Sequence, residues 1–356
     1  MKAISHDTHD EAICEYPADY ARLAFVISAP RGGAIAFSRR MERLGELGLP
    51  HTHLAIRSEP DAARRVTSRL ALYGIDDGLI RSLSAVIYGG FEAYQLESAH
   101  HDLTMMYSRN SFEHAYQRLL ANCTQEIYDP SFSLSLFPEL ITPLEARYPG
   151  SRFIYVFRDP YFYATSVLTS VHGLDSLLVW WSIAREKEPS VPLDPLVMWC
   201  NINEGLLESE SRHARSGGVR VLRFPESERR LSFERIGQFC SSEYANYPAP
   251  GASPCMSSRL KSSIQGRLYL SRQLGRLIDS RTQRLISVIG DRTPWWHDIT
   301  LGGDPSVYLR HYSSPRDLVP AYWSYIEQNS DTVERCDELC GRIGFPTLSR
   351  RLGKQK

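Results

Sequence analysis

Residues 22–33 read RLAFVISAPRGG, and this stretch is the strongest indication of the fold class in the chain. The apolar run Arg22–Ser28 is typical of a strand buried on both faces. After the glycines, apolar residues at helical spacing predict a helix over Ala34–Leu47, which Gly48 and Pro50 would end. The order strand, glycine loop, helix is the repeating unit of a parallel α/β sheet.

A second buried strand is predicted at Arg152–Phe157, which reads RFIYVF. Asp159 after it suits a helix N-cap, and Pro160 suits the first helical position. Shorter strands are predicted at 53–56, 124–128 and 219–224, and helices at 134–147 and 196–213. We therefore expect a three-layer α/β/α fold with a mostly parallel central sheet.

Composition narrows the functional classes. The chain has 356 residues, of which 42% are hydrophobic and 23% charged, so collagen-like, coiled-coil and wholly disordered classes are excluded. The 41 basic and 41 acidic residues balance, which argues against a polycation that coats nucleic acid. The seven cysteines lack metal-site spacing, so we expect reduced thiols and no metal. Without an apolar leader or membrane span, we expect a cytoplasmic protein.

The loop Ala29–Gly33 is suited to an anion. A glycine loop between a buried strand and a helix presents backbone N–H groups and the positive end of the helix dipole to a ligand, usually a phosphate. The loop departs from the Walker A pattern, because it lacks the Lys and the following Ser or Thr. The glycines could equally serve only a tight turn.

A series of motifs resembles the PAPS-dependent sulfotransferase family, where PAPS is 3′-phosphoadenosine 5′-phosphosulfate. The loop APRGG is similar to the family's PRSGT loop, RFIYVFRDP followed by Ser166 to its second signature, and SIQGRLYL at 263–270 to its C-terminal GR loop. The resemblance extends over roughly residues 20–290 and implies the P-loop-like sulfotransferase fold.

The resemblance also implies site residues. The first loop would hold the 5′-phosphosulfate, through Pro30, Arg31, Gly32, Gly33, Ala34 and Ile35. Arg158 and Ser166 would hold the 3′-phosphate, and Arg267 would reach the nucleotide. Where the family usually has Ser or Thr, Ala34 and Ile35 carry no hydroxyl, so a non-catalytic relative stays open as an alternative.

Sulfuryl transfer needs a cation where charge builds on the departing phosphate oxygen, and Arg31 suits that role. The acceptor hydroxyl needs a general base. His51 and His53 are two residues apart and follow the first predicted helix, so they are the candidates for this base.

We predict an N-terminal extension over 1–20, a sulfotransferase-like domain over 21–290 and a helical, aromatic C-terminal extension over 291–356. The predicted reaction moves a sulfuryl group from PAPS, as co-substrate, to a hydroxyl or amine of a small-molecule, carbohydrate or peptide acceptor. No nucleic acid partner is expected. Two alternatives stay open, a non-catalytic nucleotide- or partner-binding protein and an atypical P-loop kinase.

Overall fold

The fold is taken from a computed structural model of the chain. The structure describes residues 19–43, 45–49, 75–90, 92–109, 113–131, 133–169, 171–216, 220–225 and 318–353.

A parallel sheet of five strands forms the centre of the described fold. The strands are β1 (Leu23–Ile27), β2 (Leu47–Gly48), β3 (Ile127–Asp129), β4 (Arg152–Phe157) and β5 (Arg220–Pro225). Their order across the sheet is β2-β3-β1-β4-β5, and every neighbouring pair is parallel. β1 is therefore central, and its carboxyl end lies between those of β3 and β4, where parallel sheets bind ligands.

Helices connect the strands and extend beyond them. They are α1 (Ala34–Arg43), α2 (Ile75–Ile87), α3 (Ala93–Arg109), α4 (Glu113–Asn122), α5 (Ser133–Leu136), α6 (Ile141–Arg147), α7 (Pro160–Leu168), α8 (Val171–Lys187), α9 (Pro195–Ser216), α10 (Leu318–Ile326), α11 (Ser330–Ile343) and α12 (Leu348–Gly353). A 3₁₀ turn at Tyr20–Arg22 precedes β1, and another, Pro138–Leu140, precedes α6.

The two faces of the sheet are covered differently. Alternate residues of β1 belong to different apolar clusters, as side chains of a strand must. Phe25 faces the large cluster, which also holds Phe153 of β4 and side chains of α2 to α12. Val26 faces a small cluster in which Phe37 and Met41 of α1 pack on Ile154. The predicted α/β class, with helices on both faces of a parallel sheet, is confirmed.

The first helix is shorter than predicted. The sequence pattern extends it to Leu47, but α1 ends at Arg43. Gly45 adopts a φ of 96°, and the Glu46 N–H donates to the Met41 carbonyl at 3.1 Å. This is the hydrogen bond of a glycine C-cap, so Gly45, not Gly48, ends the helix. Leu47 is then in β2, where it pairs with Ile127.

The predicted helix over 134–147 is interrupted. Pro138 disfavours helical backbone at Phe137, whose φ and ψ are −134° and 66°. The segment therefore divides into α5, the 3₁₀ turn and α6. Strand β4, the Asp159 N-cap and Pro160 as the first residue of α7 match the prediction.

The C-terminal helices pack on the same core as the sheet. Tyr322, Cys336 and Leu348 are fully buried in the large cluster. Helix α11 contacts α9, and α12 contacts α7. The predicted boundary at residue 290 lies outside the described residues and stays a prediction. Among the described helices, none is long and apolar enough to cross a membrane.

Candidate functional site

The loop between β1 and α1 is tightly closed by its own hydrogen bonds. The Gly32 N–H donates to the Ala29 carbonyl at 2.7 Å, and the Ala34 N–H donates to the Ser28 hydroxyl at 3.4 Å. A Cβ on Gly32 would lie 2.6 Å from the Ala29 oxygen, so only glycine fits this turn. The first turn of α1, and with it the positive end of the helix dipole, is thereby fixed beside the end of β1.

Arg31 has left-handed backbone, with a φ of 67°. For a residue with a side chain this conformation costs about 1 kcal/mol or more, and such strain is often found at functional sites. A hydrogen bond supports it here, because Arg158 Nη1 donates to the Arg31 carbonyl at 2.9 Å. The exposed Arg31 side chain leaves the loop at the carboxyl edge of the sheet.

The second element of the site follows β4. Arg158 is the first residue after the strand, and its carbonyl accepts from Trp199 Nε1 of α9 at 2.8 Å. Asp159 caps α7 by accepting from the Tyr161 N–H at 3.1 Å. Because Trp199 and the Asp159 cap are both buried, the backbone that carries Arg158 is held from two sides.

The two elements meet at their arginines. Arg31 Nε donates to the Ser166 hydroxyl at 3.2 Å, and Arg158 bonds the Arg31 carbonyl. The pKa of Arg31 is lowered, first by partial burial and then by the nearby positive charge of Arg158. An arginine keeps its charge at neutral pH even so. The like charges repel each other, and an anion between them would relieve that repulsion.

The structure brings most of the predicted site residues together. Pro30, Gly32 and Ala34 are buried in the loop, Gly33 and Ile35 are half-buried, and Arg31, Arg158 and Ser166 converge as described. His51, His53 and Arg267 lie outside the described residues, so their roles stay predictions. Within the described part of the chain no group of His, Cys, Asp and Glu could hold a metal ion.

Two contacts of the site cannot be inferred from local sequence patterns. Arg351 of α12 forms an ion pair with Asp159, with Nη2 and Oδ2 at 2.6 Å. The buried Trp199 indole holds the Arg158 carbonyl. The residues of each pair are far apart in the sequence and come into contact only when the chain folds. Local sequence patterns therefore do not predict such contacts. Tyr163 of α7, also missed, is fully buried beside Ser166.

Groups that are suited to an anion lie close together at this edge of the sheet. A helix N-terminus, two guanidinium groups and a serine hydroxyl lie at the carboxyl ends of β1 and β4. Guanidinium groups bind phosphate and sulfate oxygens through bidentate hydrogen bonds. The arrangement can bind an anionic group and can stabilise negative charge that develops on it.

Comparison with solved structures finds two that are similar to this chain. One is the sulfotransferase domain from the Synechococcus PCC 7002 olefin synthase, with a TM-score of 0.46 and 16% identity over 62% of this chain and 72% of that one. The other is the sulfotransferase domain from the curacin biosynthetic pathway, with a TM-score of 0.46 and 17% identity over 61% of this chain and 73% of that one. No family model and no curated protein matches the chain.

Proposed function

We propose that this protein transfers a sulfuryl group from PAPS to a hydroxyl or amine of a small-molecule, carbohydrate or peptide acceptor. The observation that carries the proposal is the junction of two strand-end motifs. Arg158 bonds the Arg31 carbonyl at 2.9 Å, and Arg31 bonds Ser166 at 3.2 Å. A ligand with two separate anionic groups, such as PAPS, suits a glycine loop and an arginine–serine pair placed side by side.

Each residue has a proposed role. The loop and the first turn of α1 bind the 5′-phosphosulfate, and Arg158 with Ser166 binds the 3′-phosphate. In the transfer, the S–O bond to the 5′-phosphate breaks while a bond forms from sulfur to the acceptor oxygen or nitrogen. Arg31 stabilises the negative charge that builds on the departing phosphate oxygen. The acceptor proton passes to a general base, for which His53 and His51 remain the candidates.

Binding is tested first, by calorimetric titration with adenosine 3′,5′-bisphosphate, the nucleotide left after transfer, against AMP and ATP. We expect selective binding of the bisphosphate, because AMP lacks the 3′-phosphate. An Arg158→Ala variant should lose the preference over AMP, and the exposed Arg185 of α8 provides a control, Arg185→Ala, that should keep it. Magnesium-dependent binding of ATP in place of the bisphosphate would contradict the proposal and favour a kinase.

Turnover is tested next, by measuring transfer of the labelled sulfuryl group from PAPS to each of a panel of hydroxyl and amine acceptors. One observation favours the non-catalytic alternative, since neither Ala34 nor Ile35 can donate a hydroxyl to the phosphosulfate. The Ala34 N–H is also bonded to Ser28, at 3.4 Å. Selective nucleotide binding without transfer to any acceptor would support that alternative. Sustained transfer that His53→Gln abolishes without loss of binding would support the enzyme and its base.

A further inference from the structure

Tyr163 stands out among the buried tyrosines of the described core. Its side chain is fully buried, yet within the described structure its hydroxyl has no hydrogen-bond partner. Other buried tyrosine hydroxyls have one: the partners of Tyr116, Tyr128, Tyr155 and Tyr322 are Asp129, Glu126, Ser209 and Asp194. A buried hydroxyl without a partner costs roughly 1–3 kcal/mol, so this one needs an explanation.

The position of Tyr163 on α7 places it beside the anion site. Residues three apart share a helix face, so Tyr163 lies on the same face of α7 as Ser166. It is one turn closer to the start of the helix, which Arg158 precedes. Ser166 in turn accepts from Arg31 at 3.2 Å. The orphan hydroxyl is therefore on the helix face that carries the serine of the candidate site.

The electrostatic environment of Tyr163 agrees with this placement. Burial raises the pKa of Tyr163 well above its usual value, while Arg158 and Arg31 lower it. The effect of burial on the pKa of Tyr163 is larger than that of the two arginines. The hydroxyl stays protonated at neutral pH, so it is a neutral donor and not a phenolate that would repel an anion.

We infer that the Tyr163 hydroxyl is a further donor to the phosphate that Arg158 and Ser166 bind. This inference rests on the proposed function, because it adds one ligand to the same phosphate. A bound phosphate oxygen would give the hydroxyl the partner that it lacks in this structure. It would also place a third hydrogen-bond donor where the chain already concentrates positive charge.

The test is Tyr163→Phe, which removes only the hydroxyl and keeps the ring in the core. We measure the affinities for adenosine 3′,5′-bisphosphate and AMP by calorimetry, and the ligand-free melting temperature. A hydrogen bond to a charged group predicts bisphosphate binding weakened roughly ten- to hundredfold, with AMP binding unchanged. The ligand-free melting temperature should stay equal or rise, because no hydrogen bond is lost.

Thr165 supplies a matched control on the same helix. Its hydroxyl is also buried without a partner in the described structure, but at about 100° per residue it lies on the side of α7 roughly opposite to Tyr163. Thr165→Val should therefore leave the preference for the bisphosphate over AMP unchanged. An equal loss in both variants would mean a general effect on α7 and would overturn the inference.

The outcomes separate the inference from the proposed function. If the wild-type protein has no preference for the bisphosphate, the proposed function fails and the inference with it. If the wild type prefers the bisphosphate and Tyr163→Phe keeps that preference, the inference alone is wrong. A Phe variant that melts well below the wild type without ligand would also overturn it, because the hydroxyl would then have a structural partner.

Discussion

The amino edge of the sheet, where its strands begin, and the carboxyl edge, where they end, differ in how their charged groups are arranged. At the amino edge, Arg152 at the start of β4 and Glu126 before β3 form an ion pair at 2.7 Å, and both are buried. The Tyr128 hydroxyl also donates to Glu126. At the carboxyl edge Asp159 is paired with Arg351, but two arginines, Arg31 and Arg158, also lie close together there. The amino edge thus pairs opposite charges, whereas the carboxyl edge also holds two like charges close together.

We interpret this difference as a separation between residues that stabilise the fold and residues available to a ligand. Two buried groups of opposite charge neutralise each other and therefore offer no net charge to a ligand. Like charges held together cost stability in the ligand-free protein, and such a cost is typical of binding sites. If this interpretation is correct, substitutions at the amino edge change the free energy of unfolding, and substitutions at the carboxyl edge change anion binding.

The largest effect is expected at the amino edge. Arg152→Leu leaves Glu126 buried without its cation, which should lower the free energy of unfolding by about 3–5 kcal/mol. Urea denaturation measures the loss. Since the pair is remote from the loop, the folded fraction should keep the wild-type preference for adenosine 3′,5′-bisphosphate over AMP.

The double variant Arg152→Leu with Glu126→Leu is the control for that result. An apolar pair of similar size can replace a buried ion pair at little cost, so the double variant should recover most of the lost stability. If the single variant had the wild-type free energy of unfolding but lost the preference for the bisphosphate over AMP, our interpretation of the two edges would be wrong.

A smaller loss of stability is expected in the loop at the carboxyl edge. In Gly32→Ala the new Cβ would be 2.6 Å from the Ala29 oxygen and 3.0 Å from the Ser28 Cβ. The loop must shift, at a cost of about 1–3 kcal/mol, and the first turn of α1 shifts with it. Calorimetry should therefore show a loss of bisphosphate binding well beyond the loss of stability seen by thermal melting.

Gly341 provides the matched substitution. It is in α11, and a Cβ there would meet nothing within 4 Å. Gly341→Ala should stabilise the protein by about 0.5–1 kcal/mol, because alanine is the better helix former. If Gly32→Ala bound nucleotide like the wild type, the loop would serve only as a tight turn between strand and helix.

Local patterns predicted the parts of the site that depend on adjacent residues. The run before the loop predicted β1, RFIYVF predicted β4, and Asp159-Pro160 predicted the start of α7. Each rests on periodicity or capping, which act over a few residues. The meeting of Arg31 with Arg158 followed from the rule that parallel strands present their carboxyl ends at one edge.

The features that sequence reasoning missed depend on contacts across the fold. Leu47 was assigned to the helix because its side chain fits the helical spacing, yet its pairing with Ile127 makes it a strand residue. No turn rule predicts left-handed backbone at an arginine. At Arg31 this conformation is supported by the hydrogen bond from Arg158, which is distant in the sequence. The orphan hydroxyl of Tyr163 emerges only when the neighbours of a buried side chain are known.

The smallest effect is expected where the C-terminal helix meets the carboxyl edge. Arg351→Gln removes the ion pair with Asp159, a nearly buried carboxylate beside Arg158. Since the Arg351 side chain is partly exposed, we expect a loss of about 1 kcal/mol at neutral pH. Bisphosphate binding should weaken a few-fold, because the α7 cap helps to hold Arg158. Arg350→Gln, at an exposed neighbour, should change neither quantity.

The pH dependence distinguishes the lost pair from a general weakening of α12. Burial raises the pKa of Asp159 in the folded protein, and Arg351 lowers it. Above that pKa, folding must bury a charged carboxylate, and the variant lacks the cation that offsets this cost. As the pH falls through the folded pKa, the carboxyl becomes neutral in both proteins and the penalty disappears. The difference in unfolding free energy should therefore narrow towards acid pH, and a difference that stays constant with pH would mean that Arg351 acts through packing on Phe162 and not through Asp159.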